Sequence, residues 1–242
     1  MTAMTMSEKG DGSEGCEATG LGRLFIGFYD LSVLLTYVGI VFAVIGICLV
    51  FRGELVLSMV CLIISGFCDM MDGTVARSFK HRTEEEKSFG IQADSLADAV
   101  SFVLLPVTIS LGLGNNDPVS IAVYAFYVLA GLIRLGYFNV LASRSTIEYY
   151  TGLPVTTISA VFPVIWIIHV FIGELWTAVL FDAVLALMAL LFISRIRIKK
   201  LSEAVQAALG VLAVVGIAVI LYLDRRTSAN AVTMPGARST SW

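Results

Sequence analysis

Long apolar runs recur along most of the chain, and they restrict its fold more than any other feature. They cover about 31–50, 55–76, 93–113, 119–142, 154–173, 175–194 and 205–223. Each run is close to the roughly 20 residues that an α-helix needs to cross a bilayer. Charged residues make up only 14% of the chain, too few to cover a soluble globule. The sequence therefore predicts an all-α, polytopic membrane helical bundle.

Charge and cysteine content exclude several other classes. A net charge of −3 gives no electrostatic reason to expect nucleic acid as a partner. The four cysteines have no C-x-x-C spacing, and three of them lie in apolar runs, where cysteine behaves as a small hydrophobic residue. We therefore expect neither a disulfide scaffold nor a zinc site.

The apolar pattern divides the chain into four parts. Residues 1–22 are rich in Ser, Gly, Glu and Thr and are predicted to be a disordered cytosolic lead-in. Residues 23–200 hold the first six apolar runs and form the predicted membrane domain. Residues 201–224 are predicted to add a seventh transmembrane helix, and residues 225–242 a polar tail. No signal peptide is expected, because the first apolar run is too long for one and lacks a small-residue cleavage site.

The distribution of Lys and Arg orients the predicted helices. With the N-terminus in the cytoplasm, eleven of the 16 Lys and Arg residues fall on the inner side and four on the outer side. This predicts a multi-pass protein of the cell membrane with the 78–92 loop and the 195–200 run in the cytoplasm. Arg225 and Arg226 fit poorly on the outer side, after a seventh span.

Four aspartates interrupt the apolar pattern within residues 68–100. Asp69 and Asp72 lie near the cytoplasmic end of the second predicted helix, and Asp94 and Asp98 open the third. Spacings of three and four residues place each pair on one helix face. Carboxylates are costly in lipid, so all four are expected to face a polar cavity. Because they repel one another, a cation is expected between them. Oxygen-only ligands favour Mg²⁺ or Mn²⁺, and two pairs can hold two ions, as in phosphoryl-type transfer.

The neighbouring residues suit a substrate that carries phosphate. Gly73 lets a ligand approach the backbone beside Asp72, Ala76 is small, and Arg77 offers a planar fork for phosphate. Gly90 is expected to break the loop just before the third helix. A solvated helix end would explain any one of the aspartates, but it does not explain four of them in register with these neighbours.

The pattern Asp69-x2-Asp72-Gly73-x2-Ala76-Arg77-x12-Gly90-x3-Asp94-x3-Asp98 resembles the signature of the CDP-alcohol phosphotransferases. These membrane enzymes transfer a phosphatidyl group from CDP-diacylglycerol to an alcohol and release CMP. The chain departs from the family in the gap between Arg77 and Gly90, which is longer here. The extra residues fall in the charged stretch RTEEEK, and a longer loop costs little closure entropy. We therefore expect the site to be retained.

The resemblance implies a role for each matching residue. Asp69, Asp72 and Asp94 would bind metal, and Asp98 would be both the fourth metal-proximal carboxylate and the base that activates the alcohol. The nucleotide and diphosphate contacts would come from Gly73, Ala76, Arg77 and Gly90. The family fold implied is a six-helix core, usually a homodimer, with its site in a cavity open to the cytoplasm. The seventh apolar run would lie outside that core.

Three further segments resemble the phosphatidylserine synthase branch of the family. They are 94–106, with Val103 where glycine is usual; 133–140, with Gly136 and Tyr137 as departures; and the GLP segment in 149–156. In 31–40 only Thr36 matches the branch. The resemblance implies serine as acceptor and CDP-diacylglycerol as donor. The same chemistry with inositol phosphate or glycerol 3-phosphate is an alternative, and a divalent-cation transporter is a more distant one.

Two polar residues are candidates for the acceptor site. Arg134 is a lone charge within a predicted span, where charges usually serve function, and it could hold the carboxylate of serine or a lipid phosphate. Snorkelling to the headgroups is the structural alternative. Asn139 lies five residues further and would face the same cavity mouth only if the helix end is irregular. A satisfied polar group near a helix end explains Asn139 equally well.

Overall fold

The computed structural model of the chain describes residues 31–78, 83–142, 149–172, 174–199, 215–219 and 221–222. Its helices are α1 (Leu31–Phe51), α2 (Leu55–Ser78), α3 (Glu84–Asp98), α4 (Leu105–Gly112), α5 (Pro118–Ala142), α6 (Ile158–Ile172) and α7 (Glu174–Ile193). A π-helical segment, Ala99–Leu104, joins α3 to α4 without a break, and a 3₁₀ turn, Val155–Thr157, precedes α6. The chain is thus an all-α, multi-pass membrane protein, as the apolar pattern predicts.

Five helical segments in the described ranges are long and apolar enough to cross a membrane: Leu31–Phe51, Leu55–Val75, Glu84–Gly112, Pro118–Leu141 and Trp176–Ile193. A sixth apolar helix, Val155–Ile168, is shorter. Together they account for the six runs that the sequence assigns to the core. Of the predicted seventh span, only 215–219 and 221–222 are described, and both are helical. The seventh span, the lead-in 1–22 and the tail 225–242 stay predictions.

Small residues allow α1 and α2 to pack closely along their length. A Cβ atom added at Gly46 of α1 would lie 3.1 Å from the Cβ atom of Cys61 on α2. The Ser65 hydroxyl on α2 donates a hydrogen bond of 2.8 Å to the Gly39 carbonyl on α1. Aromatic side chains fill the centre of the bundle, where the Phe162 and Phe181 rings of α6 and α7 meet edge to face at 4.8 Å. The contacts with α1 position α2, which carries the first aspartate pair.

The start of α3 differs from the sequence prediction. The apolar run places the third helix at about 93–113, but the helix begins at Glu84. Thr83 and Glu86 form a capping box: the Glu86 N–H donates to the Thr83 hydroxyl at 3.2 Å, and the Thr83 N–H donates to the Glu86 carboxylate at 2.9 Å. Three glutamates in the first turn also favour the helix N-terminus. The prediction that Gly90 breaks a loop before the helix is therefore wrong, because Gly90 lies inside α3.

A short antiparallel strand pair, absent from the sequence prediction, joins the segment after α5 to the segment after α7. Strand β1 (Tyr149–Thr151) pairs with β2 (Arg197–Lys199), with Tyr150 opposite Ile198. Gly152 follows β1 with φ of +79°, a backbone conformation that favours glycine. Its N–H donates to the Ile196 carbonyl at 2.8 Å. The pair places the GLP segment beside the end of α7.

A network of hydrogen bonds joins α5 to α7 near the N-terminal end of α5. The Ser120 hydroxyl lies 2.6 Å from an Asp117 oxygen and 2.5 Å from an Asp182 oxygen, and the Tyr124 hydroxyl donates to Asp182 at 2.9 Å. The Ser120 side chain and the backbone N–H groups of Ser120 and Val119 lower the pKa of Asp117. Asp117 is therefore ionised at neutral pH and caps the N-terminus of α5, with Pro118 as the first helical residue.

Candidate active site

Three of the predicted aspartates come together between α2 and α3. One carboxylate oxygen from each of Asp69, Asp94 and Asp98 lies within 4.8 Å of the other two. Asp69 and Asp98 both line the cavity in which these oxygens meet. Asp72 is buried one turn further along α2 and lines the same cavity. The structure therefore gathers all four predicted aspartates around one cavity.

The cavity lies among α1, α2, α3 and the π-helical segment, and its volume is about 10 Å³. Its lining is mostly polar or small: Thr36, Gly39, Ser65, Asp69, Asp72, Asp94, Ala97, Asp98, Ser101 and Phe102. The i, i+4, i+7 spacing of Asp94, Asp98 and Ser101 explains why one helix supplies three of the polar groups. Sequence reasoning did not single out Ser65 or Ser101, although Ser101 continues the face that carries the two aspartates.

Thr36 links α1 to the aspartates. Its side chain is buried, and its hydroxyl lies 2.7 Å from an Asp72 carboxylate oxygen and 3.2 Å from the Ser32 carbonyl. The shorter contact is a hydrogen bond to Asp72, which restricts the orientation of that side chain. A sequence match to a family opening pointed to Thr36, but no sequence signal connected it to a residue 36 positions away.

Asn139 lies against α3. The Ser95 hydroxyl donates to the Asn139 side-chain oxygen at 2.6 Å, and the Asn139 amide donates to the Gln92 side chain at 3.4 Å. Ser95 directly follows Asp94 in the chain. Asn139 therefore ties α5 to the part of α3 that carries the aspartates.

Arg134 is buried on α5, with 6% of its surface exposed. Its Nε–H donates to the Leu153 carbonyl at 3.2 Å, and its guanidinium carbon lies 5.3 Å from the centre of the Phe138 ring. These contacts place it against the GLP segment. Among the residues that the structure describes, the cavity lining includes neither Arg134 nor Asn139, so their roles as substrate ligands stay predictions.

The predicted nucleotide contacts follow Asp72 on α2 and precede Asp94 on α3. Gly73 is half-buried beside Asp72. The side chains of Ala76 and Arg77 lie outside the described part of α2. A Cβ atom added at Gly90 would meet nothing within 4 Å, so packing in this structure does not require a glycine there. The nucleotide and diphosphate contacts assigned to these four residues stay predictions.

The carboxylates fit a divalent cation. An ion about 2.0–2.6 Å from each ligand oxygen keeps those oxygens within roughly 5 Å of one another, and the Asp69, Asp94 and Asp98 oxygens meet that limit. The donors are all oxygen atoms, which suits a hard cation. The acidic cluster could therefore hold a divalent metal ion.

Comparison with known proteins gives the class. The family model described as CDP-alcohol phosphatidyltransferase matches residues 30–192, which contain every site residue discussed above. The chain therefore belongs to the CDP-alcohol phosphatidyltransferase family.

Curated relatives within the family are named for serine-linked lipids. A CDP-diacylglycerol–serine O-phosphatidyltransferase of Saccharomyces cerevisiae is 37% identical over 103 residues, 39% of this chain and 36% of the relative. The protein of that name from Helicobacter pylori strain 26695 is 34% identical over 136 residues, 53% of this chain and 54% of the relative. An archaetidylserine synthase of Methanothermobacter thermautotrophicus is 31% identical over 162 residues, 66% of this chain and 67% of the relative. The chain thus spans between about a third and two thirds of the length of these relatives.

Proposed function

We propose that the protein transfers the phosphatidyl group of CDP-diacylglycerol to the hydroxyl group of serine, forming phosphatidylserine and releasing CMP. The observation that carries the proposal is the group of Asp69, Asp94 and Asp98 oxygens within 4.8 Å of one another, in the segment that matches the family. The names of the relatives support serine as the acceptor. Family membership also favours a transferase over a divalent-cation transporter.

Asp98 is suited to act as the general base. Its carboxyl group is buried at the cavity wall beside Asp69. As the serine oxygen bonds to the lipid-bearing phosphorus, the bond from that phosphorus to the oxygen of CMP breaks, and Asp98 accepts the serine hydroxyl proton.

Asp69, Asp72, Asp94 and Asp98 are the proposed metal ligands, holding Mg²⁺ or Mn²⁺ at two positions. Such ions would supply positive charge to the diphosphate and to the departing CMP. Thr36 keeps the Asp72 carboxylate turned towards the cavity through its 2.7 Å hydrogen bond. Gly73, Ala76, Arg77 and Gly90 are proposed to contact the nucleotide and the diphosphate.

The acceptor site is proposed to use Arg134 and Asn139. Serine carries a carboxylate, which needs a cation in a buried site, and Arg134 is a buried cation beside the GLP segment. Asn139 reaches α3 next to Asp94 through Ser95. Helix α5 thus carries one candidate that contacts the GLP segment and one that contacts α3.

The proposal includes a location and an orientation in the cell. The Lys and Arg distribution supports a cell membrane protein whose acidic cavity faces the cytoplasm, where serine and CDP-diacylglycerol headgroups are available. Membrane lipids surround the bundle, and residues 23–200 form the catalytic domain of a homodimer. Residues 201–224 add one more transmembrane helix outside that domain.

Acceptor competition tests the proposed function. Purified protein in mixed micelles receives labelled CDP-diacylglycerol with Mn²⁺ and either serine, inositol phosphate or glycerol 3-phosphate. Labelled phosphatidylserine should form in the serine reaction, and CMP should be released in equal amount. Product with another acceptor alone would retain the chemistry and reject serine. If no acceptor gives product and the protein instead carries Mn²⁺ into sealed vesicles, the transporter hypothesis replaces the transferase.

A further inference from the structure

The helix that carries Asp94 and Asp98 changes its form directly after Asp98. Residues Ala99–Leu104 are π-helical, and the Leu105 N–H donates to the Val100 carbonyl five residues earlier. A π turn holds one residue more than an α turn, so the side chains before and after it do not share one α-helical face. The π-helical segment therefore allows the face that carries Asp94 and Asp98 to point in a different direction from the buried face of α4.

Pro106 cannot supply the hydrogen bond that the Phe102 carbonyl would accept in a regular α-helix. In an α-helix the Phe102 carbonyl would accept a hydrogen bond from the N–H of residue 106, but proline has no N–H group. The Tyr127 hydroxyl of α5 donates to this carbonyl at 2.7 Å. Tyr127 is fully buried, and a buried carbonyl without a donor would be costly. Tyr127 therefore supplies the hydrogen bond that Pro106 cannot.

Helix α5 approaches the π-helical segment closely at the same place. Gly131 is one turn after Tyr127, on the same face of α5. A Cβ atom at Gly131 would lie 2.8 Å from a methyl group of Val103. The absence of a side chain at 131 therefore allows the close contact in which the Tyr127 hydroxyl reaches the backbone. Ser101 and Phe102, from the same segment, line the acidic cavity.

We propose that Tyr127 is a positioning residue for the acidic cavity: its hydroxyl takes the place of the missing Pro106 N–H on the Phe102 carbonyl and so holds the π-helical segment that directs Asp94 and Asp98. The proposal rests on the proposed function, because its test measures binding of the metal ion that this function requires. Tyr127 touches neither substrate nor ion, and it acts through the backbone of α3 and the segment that follows it.

The test measures Mn²⁺ binding to the purified full-length protein in detergent, from the electron paramagnetic resonance signal of free Mn²⁺. Tyr127→Phe removes the hydroxyl and keeps the ring, which packs on Phe192 at 5.5 Å between ring centres. We expect the Kd for Mn²⁺ to rise about tenfold. This is the lower end of the effect seen when a residue that supports the metal ligands is replaced. Tyr124→Phe is the matched control, because it removes a tyrosine hydroxyl from the same helix whose bond is to Asp182 instead. Its Mn²⁺ affinity should equal that of the wild type.

Pro106→Ala supplies a second, independent readout. Alanine at 106 restores an N–H for the Phe102 carbonyl, so adding Tyr127→Phe to Pro106→Ala should weaken Mn²⁺ binding by less than about threefold, as expected for coupled sites. Equal losses in both backgrounds, or no loss from Tyr127→Phe, would overturn the proposal. So would wild-type protein that binds no Mn²⁺, since no ion site would remain to be positioned. Mn²⁺ binding without transfer to any acceptor would instead reject the proposed function and leave the positioning role intact.

Discussion

A hydrogen bond from Thr36 restricts the orientation of one carboxylate of the site. The Thr36 hydroxyl lies 2.7 Å from Asp72, and oxygens of Asp69, Asp94 and Asp98 lie within 4.8 Å of one another. Four carboxylates in one cavity repel, so each needs a fixed partner to stay turned towards the others.

Substitution of Thr36 tests whether its hydrogen bond orients Asp72. Thr36→Val keeps the shape of the side chain but removes the hydroxyl, so the Asp72 carboxylate loses its partner. We expect the Mn²⁺ concentration for half-maximal transfer to rise about tenfold, and Thr36→Ser to restore it. Thr108→Val is the control, since the Thr108 hydroxyl donates only to the Leu104 carbonyl of its own helix. An unchanged Mn²⁺ requirement in Thr36→Val would show that this hydrogen bond does not organise the site.

Arg134 gives a second prediction, on substrate kinetics. Lysine keeps the charge but lacks the planar fork that binds a carboxylate through two hydrogen bonds. Arg134→Lys should therefore raise the KM for serine at least about tenfold while changing the KM for CDP-diacylglycerol little. Steady-state assays that vary one substrate at a time measure this. Equal changes in both KM values would place Arg134 at the shared phosphate.

The aspartate cluster was predictable from the sequence, whereas its surroundings were not. Spacings of three and four residues are local, so helix geometry alone places Asp69 with Asp72 and Asp94 with Asp98. Contacts such as Thr36 with Asp72, or Ser95 with Asn139, join different helices. They depend on how the helices are rotated and aligned, which hydrophobic runs do not specify.

Among the helices and strands, hydropathy predicted where the helices lie but placed the start of α3 too late in the chain. The polar turns of α3 before residue 93 lie outside the apolar run, and the T-x-x-E capping signal at Thr83 was the local evidence for an earlier start. The π-helical segment and the β1–β2 pair were also missed. The first depends on Pro106 together with a donor from another helix, and the second joins strands that lie far apart in the chain.

The capping box at the start of α3 can be tested directly. Thr83→Ala removes the side-chain acceptor for the Glu86 N–H, and loss of such a cap costs about 1 kcal/mol. We expect faster amide hydrogen exchange in the first turns of α3, with transfer activity retained because the aspartates lie two or more turns further on. Thr83→Ser keeps the acceptor and should exchange like the wild type. Exchange unchanged in Thr83→Ala would show that the cap does not define this helix end.

At the scale of the whole molecule, the bundle encloses its carboxylates among α1, α2 and α3 while apolar side chains such as Leu34, Val41 and Leu129 point outwards. Exposed apolar surface of this kind suits a lipid environment. The acidic cavity and the β1–β2 pair, which includes Lys199, should face the cytoplasm, where Lys and Arg concentrate.

Orientation is tested by cysteine labelling in intact cells. In a background without native cysteines, Cys introduced at Lys80 or Lys199 should resist a membrane-impermeant maleimide until the cells are opened. Cys introduced at Arg52, in the turn between α1 and α2, should react from outside. Labelling of the first two positions in intact cells would reverse the orientation.

We propose that the gathered aspartates carry out phosphatidyl transfer, with Asp98 as the base. The most direct test compares Asp98→Asn with the wild type for transfer of labelled phosphatidyl to serine and for binding of CDP-diacylglycerol. Asp117→Asn is the matched control, because Asp117 is exposed at the other end of the bundle and asparagine also caps helices. We expect Asp98→Asn to lower kcat by at least about 100-fold, the lower end of the contribution of a general base, with binding of CDP-diacylglycerol largely kept and Asp117→Asn fully active. Substantial transfer by Asp98→Asn would contradict the account.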